Sequence, residues 1–439
     1  MRHSMVLQGL PVPLRKAKGC VKMPKLLIEG EKRLEGRLRV HGAKNSVLPI
    51  LAATLLSGDC VIHNCPRLTD VDAACNILQH LGSETRREGD SILVGAADSC
   101  CCCIPDELMR RMRSSIVFLG AIVAKCGHAR ISLPGGCELG PRPIDLHLAA
   151  LEKLGVTIEE DHGYLNCAVK DRLRGASIPL PFPSVGATEN IMIAASLAEG
   201  ETVIKNAARE PEISDLAAFL NACGARVRTT PDGDLHITGV KSLHPAEHSV
   251  IPDRIAAATY LSAAAVTGGD VTLDGVCTEH LAAVLPYFEE MGCRLKTAPE
   301  EIRLTAARPL RAMSMVRTMP YPGFPTDAQS PLMAAACVAQ GSSIFVENIF
   351  ESRYKHVPEL IRMGADIKVE GRVALVHGVK ELHSATVHCT DLRGGAAIAV
   401  AALAAAGETE LLDIGHIDRG YENFEENLRG IGAAIRRVP

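Results

Sequence analysis

The stretch LPGGCELGPRPIDLH, from Leu133 to His147, places a cysteine in a segment that can form neither a helix nor a strand. Glycines lie on both sides of Cys137, which predicts a flexible loop with an exposed thiol. The nearby cation Arg142 favours the thiolate and prepares the thiol to act as a nucleophile or a proton donor. A loop cysteine without a role is the alternative, and Asp145 and His147 just after the loop argue against it.

Polar and charged residues gather where six apolar helices are predicted to begin. These starts are GAKNSVLP, RMRSSIVF, SVGATENIM, IPDRIAAA, FPTDAQSPL and TDLRGGAAIA. Asn, Ser, Thr and Asp at such places are typical N-caps. Capping does not explain Lys44, Arg113, Arg254 or Arg393, because a cation opposes the dipole of a helix N-terminus. If the six helices point the same way, their starts form a cleft suited to a highly phosphorylated ligand.

A repeat organises the whole chain. Apolar helix turns end in a glycine and lead into an alternating strand at Gly82, Gly155, Gly224, Gly292, Gly364 and Gly432. Each glycine fits a left-handed helix cap, where a Cβ would cost free energy. A second set of apolar helices, each followed by Gly and a strand, has the same period, so we predict six βαβαββ units in an α/β fold. Helices that are apolar nearly all round must lie inside the layer of strands.

Composition excludes several classes of protein. The 439 residues are 47% hydrophobic, enough for two domains, with 3% aromatic residues and no Trp. A net charge of -4 without a long Lys/Arg block argues against a nucleic-acid or membrane-surface protein. Scattered cysteines and the lack of a secretory leader predict reduced thiols in the cytoplasm. Prolines break the basic segment 1–22, which is predicted to be a disordered extension, and no run is suited to span a membrane.

The chain carries a series of specific motifs. They are HGAKNSVLPILAA, MRSSIVFLG, LPGGCELGPRPIDLHL, SVGATENIMIAA, NAAREPEISDLA, IPDRI, FPTDAQ, ENIFESRYKHVPEL, TDLRGG and HIDRGYE. In order and spacing they resemble the UDP-N-acetylglucosamine 1-carboxyvinyltransferase family, which belongs to the EPSP synthase superfamily. The resemblance covers about Met23 to Val438. It implies two inside-out α/β barrel domains, each of three βαβαββ repeats, with the active site in the cleft between them.

The resemblance also implies the domain bounds. The first domain would span residues 44–251 and carry the cysteine loop, 134–143, as a mobile lid. The second would combine 23–43 with 252–439. Segment 1–22 lies outside the resemblance.

The activity implied is transfer of the enolpyruvyl group of phosphoenolpyruvate to the 3′-hydroxyl of UDP-N-acetylglucosamine (UDP-GlcNAc), with release of phosphate, in peptidoglycan synthesis. Cys137 matches the residue that donates a proton to C3 of phosphoenolpyruvate and can form a covalent adduct, and Asp327 matches the general base. Fosfomycin, an epoxide mimic of phosphoenolpyruvate, would alkylate Cys137.

Further residues match the family's ligand contacts. The phosphoenolpyruvate contacts are Lys44, Asn45, Arg142 and Arg419, of which Lys44 and Arg419 also count as catalytic. The UDP-GlcNAc contacts are Arg113, Arg142, Pro143, Ile144, Asp145, Leu146, Ser184, Val185, Gly186, Asp327 and Ile349. The residues of the closed cleft are Asn45, Asp253, Arg353, Asp391 and Arg393. Departures from the family pattern occur at Pro183, Ala256 and Gly394.

No His pair has metal-ligand spacing, so we expect neither a metal nor an organic cofactor. The expected partners are the two small-molecule substrates, with no nucleic acid, no membrane and no obligate protein partner.

Two other functions compete. The shikimate-pathway enolpyruvyl transferase shares the six-unit architecture, but it lacks a cysteine loop of this kind. A non-catalytic scaffold or an RNA-handling protein could use the same unit. Mild acidity and few aromatic residues argue against RNA, and a scaffold has no reason to keep Cys137, Asp327, Lys44 and Arg419 together.

Overall fold

The structure is a computed structural model that describes residues 24–96, 101–112, 114–133 and 144–439. The α-helices, in chain order, are α1 Lys44–Ser57, α2 Thr69–His80, α3 Asp106–Arg111, α4 Phe118–Cys126, α5 Asp145–Lys153, α6 Val185–Ala195, α7 Pro211–Ala222, α8 Arg254–Val266, α9 Leu285–Glu290, α10 Thr326–Ala336, α11 Val357–Arg362, α12 Leu392–Ala404 and α13 Phe424–Gly430. Short 3-10 helices occupy Ser115–Val117, Thr278–Leu281, Arg353–His356 and Ile414–Arg419. Within the described ranges, no helix has the length and apolar character needed to cross a membrane.

The strands are short, and most of them join four-stranded sheets. In chain order they are β1 Lys25–Glu29, β2 Glu35–Arg39, β3 Cys60–His63, β4 Thr85–Glu88, β5 Ser91–Val94, β6 Cys103–Ile104, β7 His128–Ser132, β8 Val156–Asp161, β9 Tyr164–Val169, β10 Ser177–Pro179, β11 Glu201–Lys205, β12 Arg226–Thr229, β13 Leu235–Thr238, β14 Glu247–Ser249, β15 Asp270–Asp274, β16 Arg294–Ala298, β17 Glu301–Thr305, β18 Leu310–Arg311, β19 Met315–Arg317, β20 Ala339–Gln340, β21 Ser342–Val346, β22 Asp366–Glu370, β23 Val373–His377, β24 Thr386–His388, β25 Glu408–Leu412 and β26 Ala434–Val438.

One sheet pattern recurs six times. The strand orders are β14-β3-β5-β4, β6-β7-β9-β8, β10-β11-β13-β12, β2-β15-β17-β16, β19-β21-β23-β22 and β24-β25-β1-β26. In each order the first two strands are parallel and the other neighbours are antiparallel. This pattern confirms the six βαβαββ units that the repeated glycines predict.

The sheets enclose two groups of buried helices. Helices α1, α4 and α6 pack against one another, and so do α8, α10 and α12. Every residue of α8 is buried, and its composition, RIAAATYLSAAAV, explains how. Small side chains on all faces let neighbouring helices and strands approach from every direction. The expected inside-out arrangement, with helices inside and sheets outside, is therefore present.

The apolar interior forms two separate clusters. One contains buried residues between Ala43 and Val250, and the other joins Leu26 to Val40 with residues from Ile255 onward. The chain crosses from one core to the other twice, near Gly42 and near Pro252, and the strand before each crossing stays with the core that the chain leaves. Strand β2 precedes α1 yet pairs with β15, while β14 precedes α8 yet pairs with β3. These cores support our proposed division into domains at residues 44–251 and at 23–43 plus 252–439.

The two crossings lie side by side. Gly42 and Pro252 form an antiparallel bridge. The amide of Ala43 donates to the carbonyl of Ile251 at 2.7 Å, and the amide of Asp253 donates to the carbonyl of His41 at 2.9 Å. The first residues of α1 and α8 are thus held together at the boundary between the two cores.

The left-handed glycines are confirmed. The six predicted helix-ending glycines all have φ between 91° and 101°. We expect Gly155→Ala to lower the free energy of unfolding by about 1–2 kcal/mol, because φ is +96° there and a Cβ opposes this conformation. Nothing lies within 4 Å of the added Cβ, so backbone strain alone is tested. Urea unfolding measures the change.

Gly430→Ala is the matched control for this prediction. Gly430 also has open space around a Cβ, but it is the last residue of α13 and has no positive φ. Alanine favours a helix over glycine, so this variant should be as stable as the wild type or slightly more stable. Equal destabilisation of both variants would contradict the cap assignment.

Candidate active site

One carboxylate fixes the starts of α1 and α8. Asp253 Oδ1 caps α8 by accepting hydrogen bonds from the amides of Ile255 and Ala256, both at 2.8 Å. Asp253 Oδ2 accepts from the amide of Lys44 at 3.2 Å. The predicted closed-cleft residue Asp253 therefore joins the two chain crossings and sets where Lys44 begins its helix.

Asp327, the predicted base, lies in the first turn of α10 and is held by two arginines. Its Oδ1 accepts from Arg353 Nη2 at 3.0 Å, and its Oδ2 accepts from Arg393 Nε at 3.2 Å. The two arginine side chains are 1% and 2% exposed, whereas the Asp327 side chain keeps 25% exposure. The carboxylate is therefore the accessible member of this cluster.

The charge state of Asp327 follows from its neighbours. Burial would raise the pKa of this carboxyl, but Arg393 and Arg353, with a contribution from Lys44, hold it well below its ordinary value. Asp327 is therefore ionised at neutral pH and accepts hydrogen bonds. In this geometry it is a weak base.

Asp391 positions Arg393. Its Oδ1 caps α12 by accepting from the amides of Arg393 and Gly394, both at 3.0 Å. The Arg393 guanidinium lies over the ring of Tyr421, 5.2 Å from the centroid. Of the predicted closed-cleft residues, Arg353 and Arg393 therefore contact Asp327, and Asp391 holds the backbone of Arg393.

Lys44 and Arg419, both predicted to contact phosphoenolpyruvate, meet at Asp70. Lys44 Nζ lies 2.7 Å from Asp70 Oδ2. Arg419 Nε donates to Oδ1 at 2.9 Å, and Arg419 Nη2 donates to Oδ2 at 3.2 Å. Lys44 begins α1, whereas Arg419 ends the 3-10 helix Ile414–Arg419, so cations from the two cores share one carboxylate. Asn45, the next residue of α1, is half-buried.

The two clusters form one electrostatic neighbourhood. Burial lowers the pKa of Lys44, and both Arg419 and Arg393 lower it further, while Asp70 opposes them. Lys44 in turn helps to lower the pKa of Asp327. The region thus combines several cations with an ionised, partly exposed carboxylate, which can bind a polyanion beside a hydroxyl group.

Several predicted nucleotide-sugar contacts lie at the starts of α5 and α6, which pack together. Ile144, Asp145 and Leu146 begin α5, and Ser184, Val185 and Gly186 begin α6, where Ser184 is the N-cap. His147 fits closely against this start, since a Cβ on Gly186 would lie 3.1 Å from its Cε1. Burial lowers the pKa of His147 to about 4, so its ring is neutral.

Ile349 is tied to the start of α10 through Glu347. The Ile349 amide donates to Glu347 Oε1 at 2.6 Å, and the Thr326 hydroxyl donates to Glu347 Oε2 at 2.9 Å. Because Thr326 precedes Asp327, Ile349 is fixed relative to the predicted base.

The remaining residues predicted from the sequence either lie outside the described residues or contact a different partner from the one expected. Arg113, Cys137, Arg142 and Pro143 lie outside the described residues. Arg254, expected to face a shared anion, pairs instead with Glu212, at 3.0 Å from Nε and 3.2 Å from Nη2. Among the described side chains, no group of three or more His, Cys, Asp and Glu is placed to hold a metal ion.

Two residues of this region, Asp70 and Glu347, are not predicted by the sequence motifs. Asp70 follows Thr69 at the start of α2, where an acidic residue is an ordinary first-turn feature. Nothing in that local pattern indicates a partner hundreds of residues away. Glu347 lies in the quoted motif ENIFESRYKHVPEL, but no role is assigned to it there.

Comparison with known proteins agrees with this architecture. The model of the family "EPSP synthase (3-phosphoshikimate 1-carboxyvinyltransferase)" matches residues 28–428. UDP-N-acetylglucosamine 1-carboxyvinyltransferase 2 of Caldanaerobacter subterraneus subsp. tengcongensis is 52% identical over 95% of this chain and 100% of its own. UDP-N-acetylglucosamine 1-carboxyvinyltransferase of Zymomonas mobilis is 49% identical, with 95% and 100% coverage.

Solved structures share the fold. The enolpyruvyl transferase NikO from Streptomyces tendae matches with a TM-score of 0.87 and 26% identity, over 95% of this chain and 100% of its own. An EPSP synthase from Acinetobacter baumannii matches with a TM-score of 0.74 over the same shares, and its 17% identity shows the fold alone. The relatives from Caldanaerobacter and Zymomonas share about half of their residues with this chain over 95% of its length. The chain is therefore an enzyme of the UDP-N-acetylglucosamine 1-carboxyvinyltransferase family.

Proposed function

We propose that this enzyme transfers the enolpyruvyl group of phosphoenolpyruvate to the 3′-hydroxyl of UDP-GlcNAc and releases phosphate. In the cytoplasm this would be the first committed step of peptidoglycan biosynthesis. The observation that carries the proposal is the partly exposed Asp327, held by Arg353 and Arg393 within the electrostatic reach of Lys44, which shares Asp70 with Arg419. The choice of UDP-GlcNAc as the acceptor is supported by the names of two relatives, both UDP-N-acetylglucosamine 1-carboxyvinyltransferases, whose sequences are 52% and 49% identical to this chain.

Lys44 and Arg419 are proposed to bind the phosphate of phosphoenolpyruvate. Both carry N–H donors, and a guanidinium fork matches phosphate oxygens in two places at once. Arg142 and the amide of Asn45 would add contacts. Because the cations lie in a largely buried region, they stabilise negative charge more than they would in water.

The first step adds the acceptor across the double bond. Cys137 donates its thiol proton to C3, positive charge develops at C2, and the 3′-hydroxyl oxygen forms a bond to C2. The hydroxyl proton passes to Asp327. Since this proton becomes strongly acidic as the C–O bond forms, the weakly basic carboxylate is sufficient.

The second step restores the double bond. The Cys137 thiolate left by the first step takes back a proton from C3, the C–H electron pair forms the C2–C3 double bond, and the bond from C2 to the phosphate oxygen breaks with its electron pair going to the phosphate. The proton held by Asp327 then passes to the departing phosphate or to water. Lys44 and Arg419 stabilise the negative charge on the departing phosphate. The products are enolpyruvyl-UDP-GlcNAc and inorganic phosphate.

The nucleotide sugar is proposed to lie against the starts of α5 and α6. Residues 144–146 and 184–186, together with Arg113, Arg142 and Pro143, would contact it, and Ile349 would position the sugar beside Asp327. Closure of the domains with the loop 134–143 over this site would exclude water from the reacting groups.

Phosphate release tests the proposed function. Wild-type enzyme is given phosphoenolpyruvate with either UDP-GlcNAc or shikimate 3-phosphate. We expect release only with UDP-GlcNAc, and we expect Cys137→Ala to abolish it because C3 then lacks its proton donor. Cys277→Ala is the matched control: this half-buried thiol lies outside the site and its loss should leave the rate unchanged.

The other outcomes have clear meanings. Release with shikimate 3-phosphate would favour the sister enolpyruvyl transferase. Release with neither acceptor would favour the scaffold. Full activity of Cys137→Ala would remove Cys137 from the mechanism.

A further inference from the structure

Asp70 is a buried carboxylate to which neither the sequence motifs nor the proposed mechanism assigns a role. Its side chain is 2% exposed, in the first turn of α2. A first-turn acid commonly stabilises the positive end of its helix. Both oxygens of Asp70, however, are used by the side chains of Lys44 and Arg419.

The geometry leaves donors free on both cations. Arg419 uses Nε and Nη2 for Asp70, which leaves Nη1 and the second Nη2 hydrogen at the other edge of the guanidinium. Lys44 Nζ has three donors and uses one for Asp70. In the part of the chain that the structure describes, Lys44 Nζ has no acceptor besides Asp70, and Arg419 Nη1 has none. Asp70 therefore fixes the position of both groups without using up their donors.

The contact also spans the two cores. Asp70 and Lys44 belong to elements of the first core, while Arg419 lies 349 residues after Asp70 and belongs to the second. The neighbouring pair Arg67 and Glu422 crosses the same boundary at 3.9 Å, but Arg67 is 58% exposed. An exposed pair contributes little, so Asp70 is the contact that defines how Lys44 and Arg419 lie relative to each other.

Asp70 has a second effect, on protonation. Lys44 is buried and has Arg419 and Arg393 near it, and all three influences lower its pKa. The backbone amide of Lys44 contacts Asp253, whereas the ammonium itself faces Asp70. Lys44 and Arg419 in turn hold the pKa of Asp70 below its ordinary value despite burial, so Asp70 is an anion. This anion favours the charged form of Lys44, which is the form that binds phosphate.

We propose that Asp70 is a positioning residue: its carboxylate joins Lys44 to Arg419 across the domain boundary and presents their remaining N–H groups to one phosphate group. This inference rests on the proposed function, which assigns Lys44 and Arg419 to the phosphate of phosphoenolpyruvate. If Asp70 instead competed with phosphate for the two cations, removing its charge would strengthen phosphate binding rather than weaken it.

Binding of inorganic phosphate and of phosphoenolpyruvate to Asp70→Asn tests the proposal without requiring turnover. Isothermal titration calorimetry should show dissociation constants about tenfold to a hundredfold higher than for the wild type, because charged hydrogen bonds that orient both cations are lost. The decrease of binding at alkaline pH should also move to lower pH, because Lys44 loses the anion that keeps it protonated. A purely structural role of Asp70 would not produce this shift in the pH profile.

Asp72→Asn is the matched control. Asp72 lies in the same first turn of α2 but is exposed, so this variant tests the helix-dipole effect alone. Its phosphate binding should equal that of the wild type. Tighter phosphate binding by Asp70→Asn would show competition and overturn the proposal, as would unchanged binding with an unchanged pH profile.

Asp70→Glu covers the case in which Asp70→Asn does not fold. This variant keeps the negative charge but moves the carboxylate by one methylene. Phosphate affinity should therefore fall, while the alkaline pH at which binding decreases should equal that of the wild type. Wild-type affinity in Asp70→Glu would overturn the proposal. If wild-type enzyme binds phosphate as expected but releases none from phosphoenolpyruvate with UDP-GlcNAc, the proposed function fails while the binding role of Asp70 stands.

Discussion

Asp327→Asn is expected to lower kcat by about 10²- to 10⁴-fold, the usual contribution of a positioned general base. The amide cannot accept the hydroxyl proton, and its NH₂ group would face the donors of Arg353 or Arg393. Steady-state phosphate release with UDP-GlcNAc as acceptor measures the effect. A kcat within a factor of two of the wild type would exclude Asp327 as the base.

The same variant should be less stable at neutral pH. Removing the carboxylate leaves Arg353 and Arg393 buried without their anion, which should lower the free energy of unfolding by up to about 3 kcal/mol. This value is at the low end of the range for breaking a buried ion pair, because Asp327 keeps contact with solvent. The pKa of Asp327 is lowered on folding, so its stabilisation is present above the unfolded pKa of 3.8 and is lost as the pH falls through the folded value. Urea unfolding should therefore show a difference between wild type and variant at pH 7 that shrinks below about pH 4.

Asp274→Asn is the control for both effects. Asp274 accepts two hydrogen bonds from Arg37, each at 2.9 Å, and the pair is exposed. The same chemical change at this surface pair should alter stability by less than about 1 kcal/mol and leave kcat unchanged. Equal losses in both variants would mean that burial and location are irrelevant, contrary to the site described above.

Lys44→Met is expected to lower kcat/KM for phosphoenolpyruvate by about 10²- to 10³-fold, the loss typical for removal of one preorganised donor to developing negative charge. Methionine keeps most of the unbranched side chain but removes the ammonium group that faces Asp70 and, by our proposal, the phosphate. Initial rates over a range of phosphoenolpyruvate concentrations measure the change.

Lys125→Met provides the matched comparison. Lys125 also lies on a buried helix of the first core, but in the last turn of α4, where its Nζ donates to the carbonyl of Leu55 at 2.8 Å. Its loss should leave kcat/KM at the wild-type value. If Lys44→Met is equally active, the cation at the start of α1 does not act on phosphate.

The repeated architecture could be predicted from the sequence because its determinants are local. A helix-ending glycine such as Gly155 or Gly364 is recognised from the few residues around it, because its role depends only on the local backbone. Both glycines have φ above +90°. The apolar composition of α8 and α12 likewise predicts burial on all sides. Both signals lie within a few residues of chain and repeat with every unit.

The candidate site could be predicted only in part. The resemblance indicated Asp327, Arg353 and Arg393, and these residues come together. Arg254 shows the limit of reasoning from helix starts: a cation at a helix N-terminus suggests an anionic ligand, but the anion it meets is Glu212 of the same chain. Local sequence does not reveal which carboxylate supplies the compensating charge.

The tertiary structure alone decided the position of Asp70. Its own sequence context predicts an ordinary helix start, whereas its two partners come from α1 and from a 3-10 helix 349 residues away. Capping and hydrophobic periodicity act over one or two helical turns, and ion pairs of this kind depend on how distant elements pack. The pairing of β2 with β15 and of β14 with β3 also joins segments far apart in the chain, because strand pairing depends on which edges the folded chain brings together. The sequence by itself determined the units, and their packing across the boundary determined how the charged groups meet.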